Sequence, residues 1–180
     1  MLRAFLLPIG LFAAALAGCG SGAAAANDNK PLPALTGRVV DGADLLPPKD
    51  EARLADRLAA LEKSTSDQLV VVTLPSLDGE PIEAFALRAG RGWGIGRKGV
   101  NNGVLLIVAP LEKRVRIEVG SGLEGLLTDE KAWFIIRDQI LPRFQQGAYE
   151  QGIDAGVNRL IQLLEQDKRR PQPWPKEKAA

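Results

Sequence analysis

Four oxygen-bearing side chains stand where they could act on a ligand. Asp41 closes a short β-rich run, Asn101 and Asn102 stand directly before Gly103-Val104-Leu105, and Asp129 opens a helix-like stretch. Carboxylate and amide oxygens without imidazole or thiolate suit a hard cation such as calcium or magnesium. In open α/β sheets, ligands collect beyond the carboxyl ends of the strands. Asp41 lies on that edge if its strand joins the sheet. Asp129 could reach it through the loop after Val119, although an antiparallel strand would finish at the opposite edge. Purely local roles are open as well: Asp44 capping a turn, Asp129 offsetting a helix end, and the asparagines forming a turn.

The single cysteine, Cys19, offers a different chemistry. It closes Leu16-Ala17-Gly18-Cys19 after a basic start at Arg3 and a mostly apolar run from Ala4 to Leu16. This is the plan of a bacterial secretory signal with small residues at the cut. Placed directly before a cysteine, it reads as a lipoprotein box, with Cys19 as the lipidation site. Several acyl chains at about 0.8 kcal/mol per buried methylene anchor a protein lastingly, which one chain does not. The apolar run is well short of the roughly 20 residues that cross a bilayer. Gly20 is not the aspartate that often retains lipoproteins in an inner membrane. A periplasm-facing cell-envelope location follows, with the outer membrane favoured if there are two.

Composition narrows the rest. The chain has no histidine, which removes serine–histidine triads, histidine-bound zinc and the commonest general base near neutral pH. Lysine and arginine number 23 against 22 acids, a balance that argues against a nucleic-acid partner. Gly120-Ser121-Gly122-Leu123-Glu124-Gly125 matches G-x-G-x-x-G but lacks the helix that should open at once, so no nucleotide is expected. Those glycines more simply let the chain turn sharply. Gly92 to Gly99 reads as a loop pinned by Trp93 or as one that gates a ligand.

The elements that must position these residues alternate cleanly. Residues 1–18 are the signal, 19–34 a flexible tether, 35–166 the domain, and 167–180 a charged, proline-rich tail expected to be disordered. A short strand ends at Asp41. A helix follows from Pro48 to about Lys63, with Leu54, Leu58 and Leu61 on one face. Gln68–Leu74 and Gly103–Ala109 are continuous apolar runs, the mark of central strands covered on both faces. Between them Pro81 begins a helix carrying Ile82, Phe85, Ala86 and Ala89 on one side. Arg114–Val119 alternates and follows a tight connection, as an antiparallel strand nearer an edge would. Thr128 caps a helix on which Trp133, Ile136 and Ile140 share a face until Pro142 interrupts. A last helix runs from about Tyr149 to Glu165. The pattern predicts a three-layer α/β/α sandwich, its sheet mostly parallel with one antiparallel hairpin.

Taken in order, Leu35-Thr36-Gly37-Arg38-Val39-Val40-Asp41, Trp93-Gly94-Ile95-Gly96, Asn101-Asn102-Gly103-Val104-Leu105 and Glu118-Val119-Gly120-Ser121-Gly122-Leu123-Glu124-Gly125 resemble the motifs of the TPM domain. Thr128-Asp129, Ile140-Leu141-Pro142-Arg143-Phe144, Gly147 and Tyr149-Glu150-Gln151-Gly152-Ile153 continue the match, which spans roughly residues 35–165. The resemblance implies an α/β/α sandwich outside the cytoplasm. Members include a thylakoid-lumen protein linked to photosystem II repair and a nematode accessory protein of acetylcholine receptors. Calcium binding and weak acid phosphatase activity are attributed to some, and assembly roles are suggested for others. Carried over by motif, Asp41, Asn101, Asn102 and Asp129 are the candidate metal or active-site positions. Many bacterial relatives carry a transmembrane helix and glycine-rich tail after the domain, which this sequence replaces with the N-terminal lipid. Two functions follow as expectations. One is a non-enzymatic, lipid-anchored module that assists assembly or maintenance of an unknown envelope protein, with calcium fixing its loops. The alternative is a metal-dependent acid phosphatase using Asp41 and Asp129.

Overall fold

A computed structural model describes residues 30–167. The lipidation site Cys19, the signal and the tail from residue 168 lie outside the described residues. Four strands form one sheet in the order β1 (Val39–Asp41), β2 (Gln68–Thr73), β3 (Gly103–Ala109) and β4 (Arg114–Val119). The first three are parallel, and β3 and β4 form an antiparallel hairpin. β2 and β3 are the central strands and are buried almost throughout. The alternation of β4 has a plain cause. Its Arg114, Arg116 and Glu118 pair with Ala109, Ile107 and Leu105 and share their face, while Val115, Ile117 and Val119 face the other side.

Helices cover the two faces unequally, completing three layers. Helices α1 (Pro48–Thr65), α3 (Asp129–Phe134), α4 (Leu141–Phe144) and α5 (Tyr149–Glu165) enclose one cluster. Leu58 and Leu61 of α1 meet Val71, Leu106, Val157 and Leu160 there. Helix α2 (Ile82–Gly92) covers the opposite face, where Phe85, Ala86 and Ala89 pack on Val72, Leu105 and Ile107. Each large apolar side chain buried at such a site is worth about 1.5–3 kcal/mol. Gly156 of α5 permits close packing, since a Cβ there would lie 2.6 Å from Ile140 Cδ1.

Two expectations need correcting. The tether predicted over 19–34 gives way to the domain earlier, because Leu32 packs against the α2-side cluster. Arg88 also donates to the Lys30 carbonyl at 2.7 Å, and the Trp93 indole to that of Pro33 at 3.1 Å. The helix opened by Thr128 is not regular, and it does not stop at Pro142. After α3 the chain widens into a π-helical segment, Ile135–Ile140, where the Leu141 N–H reaches back to the Ile136 carbonyl. This widening lets Pro142, which lacks an N–H, continue into α4 rather than end the helix. It also rotates the buried face to Ala132, Ile135 and Ile140, leaving Trp133 at 54% exposure.

Candidate functional site

The carboxyl edge of the parallel strands holds Asp41 beside Thr73. Asp41 spends its carboxylate locally. Oδ1 accepts the Thr73 hydroxyl and the Leu45 N–H (3.1 Å), and Oδ2 accepts the Leu46 N–H at 2.7 Å. The carboxylate thereby fixes the turn into α1 and staples β1 to β2, as short Asp side chains do. A second carboxylate, Glu112, works the same way nearby. Its Oε1 accepts the Ser76 hydroxyl at 2.7 Å and the Leu77 N–H at 2.9 Å, while Oε2 is buried without a hydrogen-bond partner. The Ser76 bond outweighs desolvation and holds the Glu112 carboxyl below its ordinary value.

Asn101 and Asn102 belong to the opposite edge. Asp41 is level with Thr73 and Val108, six residues along β3 from Asn102. At about 3.3 Å per residue, that separates them by roughly 20 Å. Asn102 is buried and uses its whole amide: Oδ1 accepts the Arg97 N–H at 2.9 Å, and Nδ2 donates to the Ser66 carbonyl (2.7 Å) and Asp67 (3.1 Å). It ties the end of α1, the loop after α2 and the start of β3 into one knot. Asn101 is exposed, with φ 54°, and donates to the Ser121 hydroxyl at 3.1 Å. The antiparallel β4 brings Gly120–Gly125 to this same edge. The fit is close: a Cβ on Gly122 would lie 2.0 Å from the Val100 carbonyl oxygen.

Asp129 begins α3 toward this edge as well. Lys131 shares a hollow with Leu163 near the end of α5, whereas Tyr149 at its start shares one with Ala109 at the carboxyl edge. The fold therefore brings Asn101, Asn102 and Asp129 to one end and leaves Asp41 at the other. These four residues do not fit a single hard cation. Two of them spend their polar atoms on the fold, and Asp41 is out of reach.

What the asparagine edge does form is a groove between α2 and β4, with a cavity volume of about 770 Å³. Ala86, Leu87 and Ile95 give it apolar walls, and Arg91, Lys98 and Glu124 stand exposed at its rim. The loop containing Trp93 is fixed beside it. Trp93 meets Phe85 edge-on at 6.4 Å, and the Gly96 N–H donates to Gln68 Oε1 at 2.7 Å. Trp93 thus pins the loop to α2 and to the Pro33 carbonyl. Sequence reasoning passed over Gln68 and Glu112. Each had a signal: Gln68 is the polar opener of an apolar run, and Glu112 the acid in a tight connection.

The sequence model of the TPM domain matches residues 39–163. Among solved structures, the N-terminal domain of a protein from P. gingivalis is similar at 41% identity, with a TM-score of 0.67, covering 71% of this chain and 82% of that one. Protein BA42 from Bizionia argentinensis is 25% identical with a TM-score of 0.57, over 66% of this chain and 81% of its own. The N-terminal domain of protein cg2496 from Corynebacterium glutamicum shares the fold at 17% identity and a TM-score of 0.56, over 74% and 83%. No curated protein matches the chain.

Proposed function

This chain belongs to the TPM-domain family, and from that premise we propose that it is a lipid-anchored envelope module that binds a protein partner rather than turning over a substrate. The observation that carries this reading is how the candidate polar residues are spent. Asp41 and Asn102 are consumed as internal ties, and the groove at the asparagine edge is rimmed by exposed charge on apolar walls. Such a surface suits recognition of a polypeptide better than activation of water. A phosphatase built on Asp41 and Asp129 finds no support in this geometry, because the two carboxylates stand at opposite ends of the sheet. Calcium, if bound, would be held at one end only. Anchorage through Cys19 would place the groove facing the periplasm.

The test has two arms. Membrane fractionation of the native chain and Cys19→Ser should show the first with the membrane and the second released. Affinity capture from solubilised membranes should recover one defined envelope protein with the native chain and lose it with Leu87→Glu. Equal membrane association of both forms would remove the anchor, and recovery of only a random set of envelope proteins would remove the partner. Turnover of an aryl phosphate that vanished in Asp41→Asn would restore the enzymatic reading.

A further inference from the structure

β4 is an edge strand: among the described residues it pairs with β3 alone. The Gly120 N–H donates to the Gly103 carbonyl at 2.8 Å, which sets the phase of the hairpin ladder. Arg114, Arg116 and Glu118 therefore direct their backbone groups at β3, and Val115, Ile117 and Val119 direct theirs outward. Among the described residues those outward groups meet no hydrogen-bond partner. The strand carries no proline or bulge that would blunt pairing.

The sequence of this edge is complementary to itself. When two copies of β4 run antiparallel about a twofold axis through Ile117, Ile117 meets Ile117 as a hydrogen-bonded pair. Val115 then faces Val119, and Arg116 of one copy faces Glu118 of the other, twice over. Arg116 and Glu118 already lie on the same face of the sheet, 2.7 Å apart within one chain, so no side chain changes sides. Opposite charges directly across an antiparallel pair stabilise it, and like charges oppose it. Leu87, 45% exposed, lines the groove together with Glu118 and adds apolar surface on that face.

The geometry points to a homodimer in which the two four-stranded sheets join through β4 into one continuous sheet. One strand pair buries less than a standard interface, so association depends on concentration, and confinement to a membrane surface favours it. This goes beyond the proposed envelope role and does not require the lipid.

The test uses the full chain in detergent micelles, followed by sedimentation over a concentration series and by residue-resolved amide exchange. The expected result is a dimer fraction that rises with concentration, together with new protection at Val115, Ile117 and Val119 and little change at Arg114, Arg116 and Glu118. Arg116→Glu should weaken association about tenfold by setting like charges opposite each other at two places. The double variant Arg116→Glu, Glu118→Arg should restore it. Val115→Pro removes an outward donor and should abolish the dimer. If that variant misfolds, the charge reversal and its rescue decide the matter. A monomer at every concentration overturns the proposal. So does a dimer indifferent to the charge swap, or protection that appears only when a different protein occupies the edge.

Discussion

At the scale of single residues, polar side chains at the two sheet edges act as ties, and this sets what their loss costs. Asn102→Ala removes three hydrogen bonds from a buried knot, those to the Arg97 N–H, the Ser66 carbonyl and Asp67. Hydrogen bonds lost in a buried site cost on the order of 1 kcal/mol each, and more where a group is left unsatisfied. Urea denaturation should show a loss of about 2–4 kcal/mol, far above an exposed substitution such as Lys98→Ala. Gly122→Ala drives a methyl into the Val100 carbonyl and should cost about 1–3 kcal/mol by the same measurement. Glu112 gives a pH dependence of definite sign. Its folded-state pKa lies below the ordinary 4.5, so its contribution is present above that value and is lost as pH falls through the folded pKa. Thermal melts should therefore show the native chain losing more stability than Glu112→Gln as pH drops below 4.5.

Among the elements, the instructive one is the run from α3 to α4. Helical spacing measured from Trp133 puts Ile136 and Ile140 on its face, but the π-helical widening shifts the register. Ile135 and Ile140 are buried, and Trp133 meets Phe134 edge-on and Arg137 over its ring at the surface. Trp133→Ala should change the unfolding free energy by less than about 0.5 kcal/mol, and Ile135→Ala should cost about 2–5 kcal/mol. The reverse order would mean that the core follows a regular helix. The strands held their predicted limits to within a residue or two, because apolar continuity and alternation report burial directly. A π turn leaves no such mark: it answers the packing of Ile140 on Gly156 of α5, which lies at a distance in sequence.

Across the whole molecule, the direction of β4 decides which residues can cooperate. Because β4 is antiparallel, its glycine loop and Asp129 arrive at the amino edge of β3, away from Asp41. The effects of Asp41→Asn and Asp129→Asn on thermal stability should then add within about 0.5 kcal/mol, with or without calcium. Coupling that emerged only with calcium would put both carboxylates on one ion. The amino-acid sequence by itself determined the layers, the strand limits, the central and edge strands, and the TPM motifs in order. Each of these follows from local periodicity or from residues adjacent along the chain. Only the tertiary structure decided that Asp41 and the asparagines stand at opposite ends, that their polar atoms serve the fold, and that a groove opens between α2 and β4. Those facts depend on strand direction, register and competing hydrogen bonds between segments far apart in sequence, which spacing along the chain does not encode.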